Sequence, residues 1–423
     1  MISQGFKKDV SGIHDIITQH AEEAAFNWLL RDSAVHAPHY DLKDLAELDD
    51  RVEAHIDGLR IAGDAGWELC KAQLMWEEPG EVFAASVLAL ENGAEDRLQT
   101  VFEAAIVSPE TVRGLVSAFG WEPYPKVRDY LQTLTASESP DMRRIGIAAC
   151  AINRWYPGKA LAEAFSQDDS LLKARALKAV GEIGLRDMLP SVRAHFTAED
   201  EKCRFYAAWS AALLRDSDAL PVLGEIAETG GPYAPRACFT ALRLLRISEA
   251  HAWLKKLASQ PEHQRMAVMG AGVLGDPVLI PWLIQQMESP ELARVAGESF
   301  SVITGADIAD EDLEGEWPEG FEAGPTEAPE DEDVDTDPDE DLPWPDPERI
   351  LTWWHPHKKN FQNSVRYFSG RPVSEAHLRR VLRDGFQRQR AAAAIELAMI
   401  KPGQPLFEVR GPGFQQQILL GGE

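Results

Sequence analysis

Cysteine is scarce in this chain: four residues in 423, Cys70, Cys150, Cys203 and Cys238, with no C-x-x-C spacing among them. That excludes a disulfide-stapled scaffold and a cysteine zinc site, and three of the four sit among apolar residues of predicted helices, as buried thiols of a reducing compartment do. Long hydrophobic runs are missing as well. The longest, "VFAASVLAL", falls far short of the roughly 20 residues that cross a bilayer. The opening "MISQGFKKDVSG" lacks the apolar core of a signal peptide, so the expected location is the cytoplasm. Catalytic signatures are also wanting: no G-x-S-x-G, no Walker loop, no G-x-G-x-x-G framed by a strand and a helix, and no His-Glu dipeptide. "GPGFQQQILLGG" has no lysine or following helix to hold a phosphate, and Cys203 has no histidine near it in sequence. Neither an enzyme nor a cofactor is expected.

The most concentrated absence is of positive charge. From Ala306 to Glu348 there is no Lys or Arg, against 20 Asp and Glu. The formal charge of −27 therefore comes mostly from this stretch, because the rest of the chain carries 49 acids against 42 bases, a balance of −7. Nucleic acid and anionic membranes repel such a segment, so neither is an expected partner; a basic protein is.

What is present in quantity is a repeat. Arg113, Arg144, Arg175, Arg204, Arg236, Arg265 and Arg294 follow one another at steps of 31, 31, 29, 32, 29 and 29 residues, each leading into an apolar, alanine-rich segment. Glu110, Asp141, Glu201, Glu262 and Glu291 each lie three residues before their arginine, which suits a helical ion pair. Ser108-Pro109, Ser139-Pro140 and Ser289-Pro290 add an N-cap and a first-turn proline. Between these segments, Pro190, Pro221 and Pro281 open shorter amphipathic stretches. Each period thus reads as two helices, with Phe205, Ala208, Trp209, Ala212 and Leu213 forming one buried face. The expected fold is an all-α solenoid, and the arginine ladder is expected to be structural, each guanidinium tying down an acid or a carbonyl.

Helix pairs with this Pro, Asp and Arg pattern resemble short HEAT repeats, over about residues 80 to 305. The expected organisation is an N-terminal helical cap (1–79), the repeat array (80–305), an acidic and largely disordered insert (306–348), and a C-terminal repeat and cap (349–423) in which Arg390 heads the last alanine-rich helix. In the cap, "HAEEAAFNWLLRDSAV" reads as one helix and "PHYDLKDLAELDDRVEAHIDGLRIAG" as a second, longer one. Deoxyhypusine hydroxylase is a HEAT-repeat enzyme with His-Glu metal ligands; their absence here makes a metal enzyme the weaker alternative. "HAEEAAFNWLLRD", "LDDRVEAHIDGLRIAG", "EPGEVFAASVLAL", "ITGADI", "LPWPDP…WW" and "RQRAAAAIELAM…LFEVR" resemble an uncharacterised proteobacterial family encoded in type VI secretion gene clusters. That resemblance implies the company of secreted toxins and carries over no site residues.

The acidic insert is the candidate site. Asp333, Asp335 and Asp337 begin like an EF-hand loop, but Pro338 stands where glycine is needed and Trp344 where a bidentate glutamate is needed, so no metal site is expected. His355 and His357 lack a third ligand. The expected partner-binding residues are Asp331, Glu332, Asp333, Asp335, Asp337, Asp339, Glu340, Asp341, Trp344, Trp353 and Trp354, with Trp317 and Phe321 as further aromatics flanking the acids. The function expected is non-enzymatic: an immunity protein, monomeric when free, that sequesters a basic type VI effector, with a nuclease the leading type. The alternative is a chaperone or adaptor for an effector or secretion component.

Overall fold

The structure, a computed structural model, describes residues 10–321, 323–324 and 337–421, with side chains from residue 14 onward. Among these residues the chain forms 22 α-helices and one two-stranded hairpin. The fold is an all-α solenoid of helix pairs. Its contacts divide it into two compact units: residues 1–185 with 383–391 and 404–423, and residues 186–382 with 392–403.

Seven helix pairs carry the ladder. In the first unit they are Glu95–Ala105 with Pro109–Trp121, Tyr124–Thr135 with Pro140–Ile152, and Ala160–Phe165 with Ser170–Ile183. In the second they are Leu189–Arg193 with Glu201–Leu213, Leu220–Thr229 with Ala234–Leu244, Ile247–Ala258 with Gln264–Leu274, and Ile280–Gln286 with Pro290–Thr304. Every ladder arginine lies in the first two turns of a second helix. Ser108 caps its helix reciprocally with Thr111, and Ser139 accepts from the Met142 amide. Ser289 departs from this pattern: its hydroxyl donates to the Glu291 carboxylate at 3.0 Å. The second helices are rich in small residues because they touch; a Cβ on Gly272 would crowd the Ser299 backbone of the next one.

In the first unit, helices Val10–Ala34 and Leu42–Ala62 pack together, the first being the longer at 25 residues against 21. Asp41 opens the second with a capping box to Asp44. Helix Pro79–Asn92 is buried at every position from Val82 to Leu90. An aromatic series anchors this core: Trp28 stacks on Phe83 at 5.3 Å, Phe83 meets the edge of Trp121, and Trp121 meets Phe414.

Phe414 belongs to the C-terminal tail, which returns to the first helices of the chain. Arg31, 2% exposed, pairs with fully buried Asp49 at 2.8 Å and donates to the Gly411 carbonyl, while the Gly413 amide donates to Asp49. Burial raises the Asp49 carboxyl above its usual range, against the pull of Arg31 and the Gly413 amide. Arg154 donates to the Leu406 carbonyl and pairs with Glu408, and Arg410 pairs with Asp32. Within the tail, "GFQQQILLG" forms the helix Gly413–Gly421. Arg390 does head helix Gln387–Ile400, but it is fully buried, bonded to Gln387 and Gln416, and burial lowers it to about 10.

In the second unit, Tyr367–Phe368 pairs with Arg371–Pro372 around Ser369 and Gly370, both at positive φ. The Tyr367 amide donates to Gly275, and those of Ser369 and Gly370 donate to Val302 and Ile303 at the end of helix Pro290–Thr304.

Two outcomes are expected. Glu182 contacts Arg175 at 2.8 Å and Lys178 at 3.3 Å; burial pushes its carboxyl up, but Arg175, Lys178 and Arg154 outweigh burial and hold it at about 2 against an ordinary 4.5. A carboxylate depressed in the fold stabilises it above the unfolded pKa and loses that contribution as pH falls through the folded one, here roughly 3 kcal/mol. Melting curves from pH 7 to pH 2 should therefore show Glu182→Gln losing less stability on acidification than the natural chain. Arg31→Ala strands the Asp49 charge and should cost about 3–5 kcal/mol in urea unfolding.

Candidate functional site

The acidic segment begins where Gly305, in the left-handed conformation, ends helix Pro290–Thr304. Ile308, Leu313 and Leu342 are buried pegs that join the hydrophobic core of the second unit. The two arms of the segment are sewn to each other: the Gly315 amide donates to the Trp344 carbonyl and the Asp346 amide to the Leu313 carbonyl, both at 2.8 Å, with a bridge between Glu314 and Pro345. Asp346 then caps helix Pro347–His357, and Arg349 donates back to the Glu314 carbonyl. Both arms are thus ordered, from residue 306 to 321 and from 337 to 346.

The two last rungs of the arginine ladder hold the second arm. Arg265 forks onto the Asp339 carboxylate at 2.8 and 2.5 Å, and Arg294 forks onto Asp337 at 2.6 and 2.9 Å while also donating to the Asp339 carbonyl. Burial pushes Asp337 up, but Arg294, the Asp339 amide and Arg265 hold it below the usual carboxylate range. The Arg294 guanidinium also lies 5.1 Å from the Trp317 ring and 5.4 Å from that of Trp344. Phe321 completes the cluster, 5.9 Å from Trp317 and 5.5 Å from Trp344.

The other rungs find different partners. Arg144 pairs with Asp141 as the three-residue spacing suggests. Arg113 reaches Asp32, and Arg175 reaches Glu182 with poor hydrogen-bond alignment. Arg204 donates to the Ala198 carbonyl, and Arg236 lies over Phe205 and Tyr206.

Of the expected partner-binding residues, Asp331, Glu332, Asp333 and Asp335 lie outside the described residues. Asp337 and Asp339 are engaged inside the fold by Arg294 and Arg265, and Asp339 is buried. Glu340 and Asp341 are exposed, with Asp310, Asp312, Glu314, Glu316 and Glu319 of the first arm. Trp354 is buried against Phe361, and Trp353 is stacked on His357 and donates to Glu311, so both are packing residues. Trp344 is half-buried; Trp317, at 52%, is the exposed aromatic of the cluster. Sequence spacing missed the clamp because its halves lie 43 and 74 positions apart, although two carboxylates at i and i+2 facing two successive rungs were there to be matched.

The four cysteines are buried, and burial pushes Cys70, Cys150 and Cys238 up to about 12. Among the described residues no three His, Cys, Asp or Glu side chains form a metal-binding group. His355 is exposed, and His357 takes part in the Trp353 stack.

Arg294→Ala removes a guanidinium that is 4% exposed and leaves the Asp337 carboxylate without its ion partner. It should cost about 3 kcal/mol in denaturant unfolding, whereas Arg113→Ala, at an ion pair half open to water, should cost at most about 1 kcal/mol.

Residues 158–243 match the family model of HEAT repeats. No match to the chain is found among curated proteins. Among the described residues no helix is long and apolar enough to cross a membrane. The match falls on the Arg175, Arg204 and Arg236 periods, so that part of the chain is similar to HEAT repeats, and the helix pairs on either side of it continue the same all-α solenoid pattern.

Proposed function

We propose that this HEAT-like repeat protein is a binding scaffold for a basic protein, and that it serves as an immunity protein that sequesters a cationic toxin, of the kind exported by type VI secretion, in the cytoplasm of the producing cell. The observation that carries this reading is the arrangement of the acidic segment. Its two arms are fixed to the repeat array, and they hold Asp310, Asp312, Glu314, Glu316, Glu319 and Glu340 exposed with no Lys or Arg within the segment. A fixed anionic platform attracts a cationic protein over a Debye length, and it loses less entropy on binding than a free acidic tail would. Inhibiting a toxin that acts on a polyanion requires only that its cationic surface be covered, so no chemistry is asked of this chain.

The test is capture from the native cells at low salt, with the intact chain and with a variant carrying Asn or Gln at those six positions. The expected result is a basic protein that is held by the intact chain, lost from the variant and released at about 0.5 M salt. Expression of the captured protein alone should arrest growth, and co-expression with this chain should restore it. Capture indifferent to both charge and salt would remove the platform from the account, and a captured protein that is harmless alone would remove the immunity role.

A further inference from the structure

The aromatic cluster on the acidic segment has two sides with different occupants. Its inner side is filled by Arg294, whose guanidinium lies within 5.4 Å of both Trp317 and Trp344 and forks onto Asp337. Its outer side is open: Trp317 keeps 52% of its surface exposed, and Glu316 and Glu319, both exposed, lie one residue before it and two after it in the chain. The Trp317 indole N–H donates to the Phe321 carbonyl at 2.8 Å, which fixes the ring against rotation. A large apolar ring immobilised in water among carboxylates has one kind of complement: a flat cation that stacks on the ring and forks to an acid.

We propose that Trp317, with Glu316 and Glu319, is the specificity-determining contact of the acidic segment, and that it takes an arginine side chain of the basic partner. The fold supplies its own precedent, since the same pair of indoles already holds one guanidinium that is forked by a carboxylate. Asp337 neutralises Arg294, so the inner cation does not repel a second one on the outer side. Arginine is favoured over lysine because the guanidinium is planar and more weakly hydrated, and so stacks and forks at once. This inference rests on the reading of the segment as a dock for a basic protein.

The test uses the full chain and two labelled synthetic probes, an eight-residue peptide of alternating arginine and glycine and its lysine counterpart, read by fluorescence anisotropy across a salt series. The expected result is tighter binding of the arginine peptide by the natural chain. Trp317→Ala should weaken it about fivefold and level the two peptides, leaving the salt slope unchanged. Trp317→Phe should keep most of the preference, and unchanged melting curves should accompany both variants. Glu316→Gln/Glu319→Gln should weaken the arginine peptide and flatten its salt slope more than Glu225→Gln/Glu288→Gln, an equal charge change elsewhere in the second unit. If Trp317→Ala binds the arginine peptide as the natural chain does, or if the natural chain does not distinguish the peptides, the Trp317 contact is overturned while the anionic dock stands. If the natural chain binds neither peptide at low salt, the dock for a basic protein falls with it. Should Trp317→Ala melt early, the Trp317→Phe and glutamine variants decide the matter alone.

Discussion

A guanidinium taken out of water needs anions, carbonyls or aromatic faces around it, and the seven-rung ladder is organised by that requirement. The period of about 30 residues puts one arginine near the start of each second helix, where the next loop or a neighbouring segment can meet it. Once the alanine-rich faces pack, each rung is drawn toward the interior, and the sequence around it must provide a partner. Asp141 and Glu182 do so from within the same helix; Asp32, Asp337 and Asp339 do so from a distance. The ladder therefore acts as a row of fasteners whose counterparts are supplied by whatever chain runs past them.

This gives the acidic segment two populations of carboxylate. Asp337 and Asp339 are structural: each is forked by an arginine, and their loss would free the second arm. Glu314, Glu316, Glu319 and Glu340 face solvent. Such a division lets a strongly charged stretch be held in a fixed place without neutralising it, because two internal ion pairs and the backbone links of Gly315 and Asp346 suffice as anchors. The aromatic residues divide similarly. Trp353 and Trp354 pack inward, Trp344 bridges to Arg294, and Trp317 remains at the surface.

The helix pairs were legible in the sequence because each period repeats the same local grammar: a cap or proline, an acid, an arginine and an alanine-rich face. The capping of Ser108 and Ser139, the prolines at the starts of the shorter helices, and the buried thiols follow from short-range rules. Features that depend on distant contacts were not legible. The pairing of Arg31 with Gly411 joins positions 380 apart, and no period announces it. The hairpin at 367–372 is only two residues per strand and is held by the ends of neighbouring helices. In the candidate site, charge and aromatic content singled out this segment, but not which of its carboxylates are internal or which tryptophan is exposed, because burial is decided by Arg265 and Arg294 on separate helices.

The central claim is that the arms of the acidic segment are fixed parts of the fold. Amide hydrogen exchange of the natural chain tests it most directly, at Gly315 and Asp346, whose amides join the two arms. The account predicts protection approaching that of the amides in helix Pro290–Thr304, with opening governed by unfolding of the second unit. Exchange at the rate of an unstructured peptide would contradict it, and would reduce the segment to a free acidic tether.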